Sequence, residues 1–151
     1  MAEQATAHEI AITRIFDAPR ELVWDAWTQP EQLARWWGKR GWNTPVSSVT
    51  LDVRPGGSFR LTSIADDDGR EMPLDAVYRE VVEPERLVWG DRDGERHATV
   101  TFTDLGDGRT EMAFRTTMRT TDEIRRNAEG GLSSAFDRLG EHLRPQPRSH
   151  A

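Results

Sequence analysis

Apolar and polar residues alternate over residues 9–16 (EIAITRIF), which predicts a strand with Ile10, Ile12 and Phe16 on one face. The period then changes. In DAPRELVWDAW, Asp17 or Ala18 caps a helix, Pro19 sits in its first turn, and Leu22, Val23, Ala26 and Trp27 fall on one apolar face. Thr28-Gln29-Pro30-Glu31 has the form of a capping box opening a second short helix, with Leu33, Trp36 and Trp37 apolar and Gly38 ending it. Alternation returns in VSSVTLDV (46–53), SFRLTSI (58–64), LDAVYREVV (74–82), RLVWGD, ATVTFT and TEMAFRTTM. Turn chemistry separates these runs: Pro55-Gly56-Gly57, Asp66-Asp67-Asp68-Gly69, Glu83-Pro84-Glu85, Asp93-Gly94 and Gly106-Asp107-Gly108.

The last segment returns to helical spacing. After the box Thr120-Thr121-Asp122-Glu123, Ile124, Ala128, Leu132, Ala135, Phe136, Leu139 and Leu143 recur at three and four, giving a helix of about twenty residues, ~30 Å long. The pattern is thus strand, two short helices, a run of about six strands and one long closing helix, an α+β arrangement with an antiparallel sheet of about six to seven strands in all. Residues 1–8 are expected to be a flexible N-terminus, 9–143 one domain, and the polar, proline-rich 144–151 a disordered tail.

Composition narrows the chemistry. The 151 residues carry a net charge of −6 and show no basic patch, which argues against nucleic-acid binding. The absence of cysteine removes disulfides and thiolate catalysis. The start MAEQATAHEI has neither a basic cluster nor an apolar stretch, and no apolar run approaches the ~20 residues of a membrane helix. A cytoplasmic protein without membrane insertion is the expectation.

Several blocks together resemble a known family: TRIFDAPRELVWDAWTQPEQLARWWG, LDVRPGGSFRL, YREVVEPERLVW, ATVTFTDLGDGRTEM and GGLSSAFDRLGEHL. In this order, over roughly residues 9–143, they resemble the heat-shock-protein ATPase activator-like branch of the START-like, or polyketide-cyclase, superfamily. The resemblance implies a helix-grip fold, a curved antiparallel sheet around the C-terminal helix with a deep cavity between them. Relatives of this kind include lipid carriers, aromatic cyclases, antibiotic-sequestering resistance proteins and a stimulator of a chaperone ATPase, so the fold alone does not assign a function. Leu132 stands where relatives often carry tryptophan after the helix glycines, which implies a reshaped cavity.

Half of the six tryptophans lie in LARWWGKRGW: Trp36, Trp37 and Trp42. Adjacent helical residues point about 100° apart, so Trp36 and Trp37 cannot share one direction. Gly38 and Gly41 flank Lys39-Arg40 and would let this loop act as a gate. The expected ligand-binding wall comprises these three tryptophans with Phe59, Leu61, Tyr78, Trp89, Val100, Phe102 and Phe114, faced by Leu132 and Phe136 from the helix. Trp24 and Trp27 read as core.

Acid–base, nucleophile and metal signatures are sparse. His8, His97, His142 and His150 are scattered, without metal-ligand spacing, and no cofactor motif is present. Asp66-Asp67-Asp68-Gly69 reads as a solvated turn, and Ser133-Ser134 lack histidine and aspartate partners in the pattern. Arg60, Arg79 and Arg115 read as surface. Glu80, on the side of Tyr78 in a regular strand, is the one catalytic candidate, because burial would raise its pKa. The residues favour binding of a small apolar partner (lipid, polyketide or aromatic) over catalysis, with a homodimer left open. The alternatives are a cyclase- or hydrolase-type enzyme in the same pocket, self-resistance by sequestration, or a chaperone ATPase regulator acting through an outer surface.

Overall fold

In the computed structural model, which describes residues 6–91 and 97–143, the opening alternation forms β1 (Thr6–Phe16). It starts before residue 9 because Thr6, Ala7 and His8 pair with Thr120, Arg119 and Met118. Residues 1–5, the tail 144–151 and the Asp93-Gly94 turn lie outside the described residues. Two short helices follow, α1 (Arg20–Thr28) and α2 (Pro30–Trp36). Next come β2 (Trp42–Asn43), β3 (Thr50–Leu51), β4 (Ser58–Ala65), β5 (Glu71–Val82), β6 (Arg86–Gly90), β7 (His97–Asp104), β8 (Thr110–Thr120) and α3 (Asp122–Leu143). The strands make one antiparallel sheet in the order β1-β8-β7-β6-β5-β4-β2, with β3 also paired to β4. Sheet plus long closing helix is the helix-grip arrangement; the strands beyond the expected six to seven are the two-residue edge pieces.

Local chemistry differs from the sequence reading at the caps. Pro19 and Gln29 are the N-caps of α1 and α2, neither with a side-chain cap bond. The Thr28 hydroxyl donates back to Trp24 O at 2.8 Å and so caps nothing. At α3 the cap is Thr121, whose Oγ1 accepts the Ile124 N–H at 3.2 Å. Residues 46–53 are mostly not strand: Val46–Ser48 is a single 3-10 turn. There Ser48 Oγ lies 2.7 Å from Pro45 O and accepts the Thr62 N–H at 3.2 Å, drawing the backbone out of a ladder.

Register builds the inner face in rows. Tyr78, Trp89, Ala98, Thr116 and Ile10 lie side by side across five strands, and Val81, Leu87, Val100, Phe114 and Ile12 form a second row. The helices cover this face, α1 through Val23, Trp24, Ala26 and Trp27. Leu22, expected on that face, is 50% exposed, because Trp24 takes the inward position and meets Phe102 edge-on at 6.0 Å. Helix α3 packs on β1 and α2, and its buried residues are Ala135, Phe136 and Leu139. Ile124, predicted on the same stripe, is 55% exposed, and the fully buried residues of α3 all lie in its second half. No described helix is long and apolar enough to cross a membrane.

Candidate functional site

The α1–α2 pair presses Trp27 into the middle of the inner face, where it is fully buried. Its ring centroid lies 4.8 Å from Trp36, 5.5 Å from Trp89 and 6.1 Å from both Trp37 and Phe136. From these the contacts continue: Trp37 to Phe59 at 5.5 Å, Phe59 to Trp89 at 5.3 Å, and Phe114 to Phe136 at 5.4 Å. Phe59 stacks on Tyr78 at 5.4 Å, and Phe102 meets Trp27 at 6.3 Å. Offset and edge-on pairs of this kind add to the area each ring buries. The structure therefore brings Trp36, Trp37, Phe59, Tyr78, Trp89, Phe102, Phe114 and Phe136 into one network. Leu61 and Val100 belong to the same core, and Leu132 packs half-buried against it.

This network fills much of the region where the resemblance implies a deep cavity. The depressions described lie elsewhere. One of about 520 Å³ opens near the start of α1, between Arg20, Glu80, Glu85, Arg86 and Asp104. Another of about 380 Å³ lies on the outer face, between Glu9, His97, Thr99, Arg115 and Thr117. Both mix charges of opposite sign, which suits neither a flat apolar guest nor a single-sign ligand.

Trp42 stands apart from the network. Its ring, on edge strand β2, lies 5.9 Å from Lys39 Nζ and 5.4 Å from the Arg70 guanidinium, a pair of cation–π contacts at the surface. Nor is the loop before it free. The guanidinium of Arg138 on α3 donates to Gly38 O (2.8 Å), Arg35 O (3.0 Å), Trp37 O (3.3 Å) and Trp42 O (3.4 Å). It thereby satisfies carbonyls at the end of α2 that the helix leaves unpaired. Arg40 adds an ion pair to Glu141, and its backbone N–H donates to Ser134 Oγ at 3.0 Å. Thr44 and Ser63 join the loop to β4 through hydroxyls 2.9 Å apart. Gly38 and Gly41 do have positive φ, but they shape a clasped loop rather than a gate.

Glu80 is placed by a β-bulge. The register shifts between Tyr78 and Glu80, with Arg79 as the extra residue, so the two no longer share a side as regular alternation requires. Glu80 is exposed, and its Oε1 lies 3.5 Å from Arg86 Nε. Arg60 and Arg115 are exposed beside Asp75 and Glu9.

Two polar groups within the ring network have no hydrogen-bond partner: the Tyr78 hydroxyl and the Trp27 indole N–H. Their neighbour Trp36 does have one, donating Nε1–H to Ala26 O at 2.9 Å. Burial, and then the negative charge of Asp52, push the Tyr78 phenol well above its ordinary pKa. Among the described residues, the polar side chains classed as buried are Thr44, Ser63, Thr110 and Thr120, with no carboxylate or imidazole. Sequence reasoning missed two arginines that secure α3. Besides Arg138, Arg14 projects from β1 to Asp137 at 2.6 Å and to Ser133 Oγ at 2.7 Å. Their partners are about a hundred residues away in the chain, so no local pattern signals them.

The family model for "Activator of Hsp90 ATPase homolog 1-like protein" matches residues 17–144. A crystal structure of a Chromobacterium violaceum protein is similar at 26% identity and a TM-score of 0.81, over 92% of this chain and 99% of that one. A Nitrosomonas europaea protein is similar at 23% identity and a TM-score of 0.77, over 89% and 93% of the two chains. The AHSA1 protein of Silicibacter pomeroyi has 20% identity and a TM-score of 0.76, over 90% and 97%. Nothing among the curated proteins matches the chain.

Proposed function

The chain belongs to the activator of Hsp90 ATPase homolog 1-like family, with its START-like fold, and from that premise we propose that it binds a small, flat, mostly apolar molecule between the inner sheet face and α3. The observation that carries the reading is the pair of unpartnered polar groups, Tyr78 OH and Trp27 Nε1–H, held among aromatic rings. A buried donor without an acceptor costs roughly 1–3 kcal/mol, and such groups in a folded protein call for an explanation. A guest with an apolar body and a hydrogen-bond acceptor, such as a phenol, ketone or ester, would supply the missing partner. It would insert beside the rings by displacing part of the cover, as α3 is tightly held over only half its length.

The polar inventory also favours holding a molecule over transforming one. General acid–base catalysis needs a titratable group within reach of the reacting atoms. Glu80, the one catalytic candidate, stands on the outer side beside Arg86. A phenol and an indole N–H orient a guest without exchanging protons with it near neutral pH.

Tryptophan fluorescence tests this, because Trp27, Trp36, Trp37 and Trp89 surround the proposed position. Titration with lipids, flavonoids and aromatic polyketides should give saturable quenching by at least one class. Tyr78→Phe should weaken that binding about five- to tenfold, the worth of one hydrogen bond in a dry site. Absence of quenching across the whole set would refute the reading.

A further inference from the structure

The depression of about 520 Å³ beside the start of α1 is walled mainly by charged and hydroxyl side chains. Three segments meet there: Arg20 opening α1, Glu85 and Arg86 at the β5–β6 turn, and Thr101, Thr103 and Asp104 at the end of β7. Glu80 joins them through the bulge at Arg79. Beyond it, Val82, Arg86 and Thr101 form one row across β5, β6 and β7, with Glu80 on the same side of β5 as Val82.

The two arginines differ from most others in the chain. Arg14 meets Asp137 at 2.6 Å, Arg70 meets Asp68 at 2.8 Å, and Arg109 meets Asp107 at 2.9 Å. Arg20 Nη1, in contrast, stops 3.7 Å from Glu85, and Arg86 Nε stops 3.5 Å from Glu80. Those distances keep charge attraction but little hydrogen bonding, and no side-chain hydrogen bond from either guanidinium is found among the described residues. Arg60 and Arg126 also stand 3.6 Å from their partners, but with 58% and 65% of their side chains in water. The Arg20 side chain is only 27% exposed, and its Nε is covered without a partner. Packing rather than an acceptor fixes this guanidinium, so little side-chain freedom is lost when an acceptor arrives.

The surrounding carboxylates decide what that acceptor belongs to. Two positive groups, Arg20 and Arg86, stand among three negative ones, Glu80, Glu85 and Asp104, which leaves the wall one charge negative and unfavourable to a simple anion. A simple cation would leave both guanidinium groups without an acceptor. Only a molecule carrying a carboxylate and an ammonium close together answers both sets.

We propose that this depression binds a small zwitterion, a free amino acid or a short peptide. Its carboxylate lies against Arg20 and Arg86, and its ammonium lies among Glu80, Glu85 and Asp104. Val82, 38% exposed, gives an apolar side chain a surface to rest on. This site and the one proposed for an apolar guest stand independently.

Backbone amide chemical shifts of the full-length, isotope-labelled protein test the assignment. The probes are leucine, leucylglycine, N-acetyl-leucine and leucinamide: two zwitterions, an anion and a cation built on one side chain. The zwitterionic group is common to the class, so leucine and leucylglycine stand for it. At least one of them should give saturable shifts centred on Arg20 and Thr101–Asp104, at least tenfold tighter than either singly charged derivative. The tighter of the two tells a free amino acid from a peptide. Arg20→Gln should weaken that binding about tenfold or more, the worth of a charge-assisted hydrogen bond. Arg86→Gln, at an exposed strand position, should act likewise and guards against an effect of the first change on α1. Glu80→Gln with Glu85→Gln should turn the preference toward N-acetyl-leucine, which a merely structural role for the carboxylates would not do. No response to either zwitterion, equal response to a singly charged derivative, or binding unchanged in both arginine variants overturns the site. Shifts confined to the tryptophan indole N–H groups overturn it too, since the probe then sits among the rings.

Discussion

Replacing Tyr78 by phenylalanine should make the protein more stable, the reverse of the usual effect of changing a fully enclosed residue. Tyr78 is 1% exposed, and its ring stacks on Phe59 at 5.4 Å with planes 24° apart, a contact that phenylalanine keeps. The change removes only a hydroxyl without a partner. Relief of its desolvation is worth about 1 kcal/mol, or about 3 °C in Tm for a domain of this size. The effect grows at high pH. Burial and Asp52 hold the folded phenol above its ordinary pKa of 10.0, so the folded chain keeps a proton that the unfolded chain releases. Tyr78 therefore costs no stability through ionisation below about pH 10, and above it the native state loses about 1.4 kcal/mol per pH unit. Tyr78→Phe removes that slope. Urea melts at neutral and alkaline pH, followed by tryptophan fluorescence, measure both quantities. Because Tyr78 is the sole tyrosine, tyrosinate difference absorbance should appear only with unfolding. A loss of more than about 0.5 kcal/mol at neutral pH would show that the hydroxyl has a partner after all. Equal alkaline slopes would show that the core tolerates the phenolate.

Two further substitutions probe what holds the site. Arg138→Met keeps the apolar stem but leaves the carbonyls of Arg35, Trp37, Gly38 and Trp42 without their shared donor, and should cost about 2 kcal/mol with an unchanged urea m-value. A cost below about 0.5 kcal/mol would mean that water replaces the guanidinium without penalty. Trp27→Phe and Trp36→Phe compare two indoles that are both 0% exposed, one unpartnered and one bonded to Ala26 O at 2.9 Å. The Trp36 change should cost about 1 kcal/mol more in urea denaturation, the net worth of that bond, and the opposite order would contradict the hydrogen-bond assignment.

Alternation in SFRLTSI and ATVTFT identified the inward residues Phe59, Leu61, Val100 and Phe102, because a strand shows opposite sides at every step whatever it packs against. The long stripe of α3 was equally legible as a helix, and Phe136 and Leu139 on it are buried. Ile124 obeys the same spacing yet is exposed, since periodicity describes the face of a helix and not how far its neighbour extends. Glu80 shows a second limit. Its side of the sheet depends on a bulge set by the pairing of β5 with β6, and nothing within YREVV announces that shift.

In LARWWGKRGW the same division holds. Adjacency alone required Trp36 and Trp37 to diverge, and Trp36 is fully enclosed whereas Trp37 is half-buried. That Trp42 lies between two cations, or that Arg138 clasps the loop, follows only from the packing of α3 beside α2. Short-range order biases backbone conformation and marks an apolar side, so residue order alone determined the long strands, the helices and the family they resemble, but not the turn at Val46–Ser48 or the side taken by Glu80. Which rings touch, which polar atoms go unpaired and which half of α3 is held depend on contacts between residues far apart in the chain. Those contacts exist only once the elements are assembled, and the tertiary structure alone decided them.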